Sequence, residues 1–220
     1  MHGPRRRPAY GVPVTDLRFE GRIVGVGTTS GTRLVVGMWA RSPLGSFADV
    51  MVETGEGRRI LLAPSREVAD FIAGTYTFDE VRVLPVSWRK VDGGIAVTVG
   101  STDSALGDDT LRLRLDIGPV SGLGMLLRLV PKAFATRPGW LGLINPVARL
   151  IVPGSATAGT AGGGRREYYG VTLARHITGL TAAFEGRDLG SLERLWPPVR
   201  FGFGSAPAAP TLVDVTTTIR

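Results

Sequence analysis

From residue 110 to residue 117 apolar and polar positions alternate, with Leu111, Leu113, Leu115 and Ile117 set against Arg112, Arg114 and Asp116. A period of two sends successive side chains to opposite sides of an extended backbone, so this stretch predicts a strand with one face in a core and one in water. β-Branched, alternating stretches punctuated by turn residues recur along the first half of the chain. Residues 14–20 and 22–26 each predict a strand, and 22–26 pairs with 33–40 across the small and hydroxyl residues of GTTSGT. Residues 46–53 and 58–63 predict a second pair, joined by TGEG at 54–57. Strands follow at 80–84, 86–91 and 95–101, the last two closed by Asp92-Gly93-Gly94. Beyond residue 165 the pattern predicts strands at 167–174, 176–184, 199–203 and 211–219, with a short helix at 191–196 stopped by Pro197-Pro198.

Helical periodicity is rarer. SREVADFIAG at 65–74 predicts a helix, with Ser65 as N-cap, Glu67 at its positive end, Val68, Phe71 and Ile72 on the buried face, and Gly74 at its close. The expected fold class is therefore mainly β with a few short helices, an antiparallel barrel or sandwich-like sheet around an apolar cavity. The 220 residues show no charged or low-complexity linker near the middle, which predicts a single domain over 14–220 behind an extended basic arm at 1–13.

One segment departs from the β pattern. Residues 119–153, PVSGLGMLLRLVPKAFATRPGWLGLINPVARLIVP, are apolar and carry only basic charges. No acidic residue lies between Asp116 and Glu167, whereas Arg128, Lys132, Arg137, Arg149, Arg165 and Arg166 all do. A bilayer span needs about 20 consecutive apolar residues, and Pro131, Pro138, Gly139 and Pro146 interrupt this one. It predicts two short helices instead. The first is capped by Ser121 and ended by Pro131; the second has Asn145 as N-cap and Pro146 at its first position. Three readings stay open: the helices plug one end of the β-structure, they cover a pocket for an apolar and anionic ligand, or they touch an anionic membrane surface. The glycine- and alanine-rich loop at 154–164 adjoins them, with Arg165 and Arg166 at its end suited to a carboxylate or phosphate.

Charge and composition narrow the function. The formal net charge is +7, and Lys90 and Lys132 are the only lysines among 26 basic residues. Arginine, alanine and glycine richness is a compositional bias, and no reading module with interleaved aromatics appears, so nucleic-acid binding is not expected. Zero cysteines exclude disulfides and thiolate chemistry, and with only His2 and His176 no zinc site and no other cofactor is expected. The glycines at 159–164 have P-loop spacing, but Arg165-Arg166 stand where Lys and Ser or Thr are required. The arginines of the N-terminal arm lack a following apolar region, which predicts a cytoplasmic protein. Assembly into identical copies is left open.

Candidate chemistry is sparse. His176 is the one internal histidine, suited to acid–base work or simply to packing. Lys132, in the apolar segment, and Lys90, beside Arg89, are the amines that desolvation would activate. Asp49 and Glu53 share one strand face four residues apart, a pattern that an exposed, charged strand face explains. For a ligand, Leu126, Trp140, Leu143 and Tyr169 supply apolar wall, and Arg149, Arg165 or Arg166 the anion contact.

SFADVMVETGEGRRILLAPS leading into SREVADFIAG, together with the later REYYGVTLARHITGL, resembles the acetoacetate decarboxylase-like superfamily in the order of its elements. The resemblance covers residues 14–220 by topology and not by a specific motif. It implies an antiparallel β-fold around an apolar cavity and, in true decarboxylases, a Schiff-base lysine beside a second lysine. No Lys-Lys pair occurs here, so those catalytic residues do not carry over. Three functions follow as expectations. One is a domain that binds a small apolar molecule with an acidic group, such as a keto acid; the second is an enzyme using Lys132 or Lys90 with His176 or a carboxylate; the third is a protein that docks on an anionic membrane surface through residues 119–153.

Overall fold

The computed structural model describes residues 16–100, 110–128, 158–160, 166–202 and 207–220. Four strands open the chain as an antiparallel meander: β1 (Leu17–Thr28), β2 (Arg33–Arg41), β3 (Phe47–Glu53) and β4 (Arg59–Ala63). Helix α1 (Arg66–Ala73) then returns the chain alongside β4, so that β5 (Glu80–Val83) runs parallel to it. Among the described residues this is the one departure from the expected antiparallel pairing, and it follows from the helix, because a crossover restores the direction that a hairpin reverses. Strands β6 (Val86–Val91), β7 (Gly94–Val99) and β8 (Leu111–Val120) form a second meander, followed by helix α2 (Gly122–Leu127). The remaining strands are β9 (Ala158–Thr160), β10 (Arg166–Phe184), the two-residue β11 (Arg187–Asp188) and β12 (Leu192–Glu193), and β13 (Thr211–Ile219).

The strand order is β5-β4-β3-β2-β1-β13-β10-β8-β7-β6, with β9 and β11 on β10 and β12 on β1. The two meanders are thus joined through β13 and β10 into one mixed sheet, curled as a half-barrel. Curling brings their inward faces together. Val24, Val26, Leu34, Val36, Val50 and Val52 from the first meander pack in the same cluster as Ile95, Val97, Val99, Leu111, Leu113 and Leu115 from the second. Each such side chain contributes about 1.5–3 kcal/mol on burial, which makes this cluster the main force closing the curl.

The opposite face of the first meander carries a second layer. Helix α1 lays Val68, Ala69 and Ile72 against Leu61 and Ala63, with Phe71, Tyr76 and Phe78 around them. Its start is the expected one: Ser65 Oγ accepts from the Val68 amide at 3.3 Å. Ser65→Ala should cost about 1 kcal/mol, read as a lowered urea midpoint, and an unchanged midpoint would show the cap to be idle. Helix α2 likewise begins at Ser121, whose Oγ accepts from the Gly124 amide at 3.0 Å.

Four expectations need correction. Residues 17–28 form one strand and not two, because Gly21 is absorbed at a bulge against β2. Residues 166–184 also run unbroken for 19 residues, with register shifts near residues 172, 176 and 178 taking up the irregularity. The helix expected at 191–196 and the strand expected at 199–203 are absent from the described residues. Leu192 and Glu193 pair with β1, and residues 194–202 continue without regular structure across the outer face of the first meander. We refer to residues 194–202 as the strap. Among the described residues no helix is long and apolar enough to cross a membrane.

Candidate functional site

The helix-facing side of the sheet holds buried acids. By alternation Asp49 and Glu53 on β3 point to the same side as Met51, toward α1 and away from the main core. The expectation of an exposed charged face is overturned here: Asp49 is 2% and Glu53 0% exposed. Strand β3 is covered on both faces, by the main core on one and by α1 and the strap on the other, and a two-residue period cannot reveal that.

Glu53 is fully engaged. Its Oε1 accepts from Arg200 Nε at 2.9 Å and pairs with Arg33 Nη2 at 3.1 Å, while its Oε2 accepts from the Arg200 amide at 2.8 Å. Arg33, itself buried, gives Nη1 to the Pro197 carbonyl at 2.8 Å. The strap is therefore held by a buried carboxylate. Asp49 is less well served. Trp39 Nε1 donates to its Oδ1 at 3.0 Å, and burial pushes its carboxyl up to about 7 against that single stabilising bond. Gly37 makes the pair fit, since a Cβ there would lie 2.4 Å from Asp49 Oδ1.

The third acid has chemistry to spare. Glu167 lies near the start of β10, two residues before Tyr169, so both side chains leave the strand on one side. Tyr169 pairs across to Thr217 of β13, which in turn pairs with Phe19 of β1. Phe19 stacks at 5.1 Å on Phe71 of α1. From the turn after α1, Tyr76 Oη donates to Glu167 Oε1 at 2.7 Å and lies 2.6 Å from Tyr169 Oη. Both hydroxyls bear on the Glu167 carboxyl, so the two phenols and the acid form one hydrogen-bonded cluster.

Two atoms of this cluster have no hydrogen-bond partner: Glu167 Oε2 and Thr217 Oγ1, both enclosed. Burial raises the Glu167 carboxyl to about 7, with the two tyrosine hydroxyls pulling the other way. Tyr76 is raised well above its ordinary value, by burial first and then by Tyr169 and Glu167, so it remains a neutral donor. The cluster thus presents, near neutral pH, a carboxyl that gains or loses a proton and a second oxygen with no acceptor or donor to meet. An enclosed polar atom without a partner costs about 1–3 kcal/mol, which a ligand or water supplying the missing bond offsets.

The residues expected from sequence fall differently. Tyr169 is in the cluster. Arg166 opens β10, its backbone paired with Thr160 of β9. Leu126 is 53% exposed on α2, and His176 is exposed further along β10. Lys90, on β6, is exposed as well. Lys132, Trp140, Leu143, Arg149 and Arg165 lie outside the described residues, as does most of the apolar segment. Glu167 and Tyr76 were not singled out by sequence reasoning. The signal available for Glu167 was an acid placed directly before two tyrosines in a strand; Tyr76, in a turn, had none. Among the described residues no group of three His, Asp or Glu side chains is arranged to hold a metal ion.

No family model matches the chain, and no curated protein matches it. Solved structures do. An acetoacetate decarboxylase from Legionella pneumophila superposes with a TM-score of 0.45 at 10% identity, covering 100% of this chain and 89% of that one. The likeness is one of fold. A second acetoacetate decarboxylase structure gives a TM-score of 0.44 at 8% identity, over 94% of this chain and 87% of the other.

Proposed function

We propose that the protein binds a small apolar molecule carrying an acidic group, and that Glu167 meets that group. The observation that supports this reading is the pair of enclosed, unpartnered oxygens on Glu167 and Thr217, set beside Tyr169 and the Phe19–Phe71 contact. An anion beside a buried carboxylate is unfavourable unless one of the two carries a proton. Glu167, at about 7, supplies it: the neutral carboxyl donates through Oε2 to the ligand's carboxylate, and Thr217 gives a second donor. Aromatic rings around the acid keep the pair in a low-dielectric setting, where such a bond is strong. Both oxygens are shut off from solvent, so a ligand reaches them as the packing around Glu167 gives way. The strap is bonded beside Tyr76: the Thr77 amide donates to the Phe201 carbonyl at 2.6 Å.

The pH dependence tests this. Decanoate is ionised from pH 6 upward, so its binding should weaken about tenfold per pH unit above 7 as Glu167 loses its proton. Glu167→Gln keeps a permanent donor; titration calorimetry should then find decanoate bound equally at pH 6 and 8.5. Binding of decanoate with the same pH profile in wild type and Glu167→Gln would remove Glu167 from the site, and the absence of binding by decanoate and by a keto acid such as 2-oxodecanoate would end the proposal.

A further inference from the structure

Among the described residues the curled sheet ends on two edge strands, β5 and β6. Three of the exposed large apolar side chains, Val81, Val83 and Trp88, belong to them. On β5 the charges are already engaged, since Glu80 and Arg82 pair with each other and with Arg58 and Glu185. Strand β6 differs. It pairs with β7 alone among the described residues, and Ser87, Trp88, Arg89 and Lys90 are all exposed. Its hairpin with β7 turns between the paired residues Val91 and Gly94, and at the other end the Gly100 amide donates to the Pro85 carbonyl at 3.0 Å. Bonded pairs alternate along an antiparallel ladder, so residues 87, 89 and 91 bond β7 while the N–H and C=O groups of Val86, Trp88 and Lys90 face outward. That edge is a template for one more strand.

The side chains select which strand. Val86 lies opposite Val99 and Trp88 opposite Val97, so Trp88 flanks the main core, whereas Arg89, opposite Ala96, faces the other way. Lys90 lies opposite Ile95, on the side of Trp88. A cation therefore stands on each face of the edge, and neither β6 nor β7 carries an acid to meet it, Asp92 being in the turn between them. A second copy of β6 would bring Arg89 and Lys90 of both strands together, and a lysine on an edge guards against such self-pairing. An acidic strand turns the same charges into attraction. A carboxylate beside Arg89 or Lys90 makes a favourable cross-strand pair, and an apolar residue beside Trp88 covers the indole and extends the core. We infer that β6 is a docking edge for an extended acidic segment of a partner protein, apolar at alternate positions, which adds as a strand through the outward backbone groups of Trp88 and Lys90.

Strands β7 and β8 stand between this edge and β10, so the test is independent of Glu167. When the full chain is saturated with acetyl-Glu-Val-Glu-Val-Glu-Val-Glu-amide, hydrogen exchange at the Trp88 and Lys90 amides should slow about tenfold, while the Arg89 amide, already bonded to β7, is unmoved. Arg89→Glu, at an exposed position, should weaken the peptide about tenfold by calorimetry. Lys90→Pro removes an outward N–H and spares the β6–β7 ladder, so it should weaken the peptide more than Lys90→Ala does. Glu167→Gln should leave binding unchanged. The inference is overturned by exchange at Trp88 and Lys90 that does not move at millimolar peptide, by equal binding of the peptide with lysine in place of glutamate, or by equal binding to Lys90→Pro and Lys90→Ala. Dimers of the free chain that disappear in Lys90→Pro would also overturn it, by giving the edge to a second copy.

Discussion

Replacing Glu53 with glutamine should destabilise the protein by about 3–5 kcal/mol, the cost of leaving a buried charge without its partner. Glutamine has nearly the same shape and still offers an oxygen to Arg200 and Arg33. What it lacks is the charge that lets Arg33 lie at 5% exposure, between Glu53 and the Pro197 carbonyl. Arg200 cannot substitute, being itself positive and 67% exposed at its side chain. Its own replacement by alanine removes a peripheral contributor while its backbone amide continues to bond Glu53, and should cost about 1 kcal/mol or less. Urea unfolding of the two variants gives the contrast directly. A Glu53→Gln loss no larger than that of Arg200→Ala would mean that Arg33 finds compensation elsewhere and that the carboxylate does not hold the strap.

Stability should also fall as the pH rises from about 4 to about 7, the reverse of the usual acid response. Asp49 and Glu167 both have carboxyls raised to about 7 by burial. An acid whose pKa is higher folded than unfolded binds more protons in the folded state between the two values. Its stabilisation is complete below the unfolded pKa and is lost as pH climbs toward the folded one. Each group then removes up to about 1.4 kcal/mol per pH unit across that window. The surface acids act in the opposite sense. Arg59 holds Asp79 down to about 2, chiefly through side-chain hydrogen bonding, and Arg82 lowers Glu80 in the same way; these contributions are present above the ordinary carboxylate range and are lost as pH falls below it. The two trends place the maximum near pH 4–5. The double substitution Asp49→Asn, Glu167→Gln should flatten the curve between pH 5 and 8 and leave the variant more stable than wild type at pH 8. Chemical denaturation across that range checks both statements, and a wild-type curve that is level from pH 5 to 8 would show that neither carboxyl is raised.

The elements that sequence reading predicted well are those whose signal is local. The alternation is seen intact over 111–115 because β8 has one covered face, and Ser65 caps α1 because the hydroxyl and the amide it meets are three residues apart. The misreadings came from partners remote in sequence. Glu53 looks like a surface residue until the strap is laid over it, with Arg200 meeting it at a separation of 147, and Asp49 until Trp39 and the helix layer enclose it. Residues 191–196 have helical spacing, but pairing of Glu193 with Gly27 and burial of Leu195 override it. Glycine at 21 reads as a strand end, and only the pairing of β2 and β13 on either side carries β1 through it. Of the Glu167 cluster, Tyr169 was legible as apolar wall, whereas its hydroxyl chemistry depended on Tyr76, 93 residues away.

The strap puts chain from far along the sequence over the buried acid of β3. Its Arg200 amide and guanidinium meet Glu53, and the Thr77 amide donates to the Phe201 carbonyl at 2.6 Å, so the turn after α1 and the end of β3 are fastened to the same short segment. A change that freed the strap would expose Glu53 and Arg33 together and would uncover the edge of the helix layer with them. The outer layer of the first meander is thus completed from a part of the chain 147 residues away.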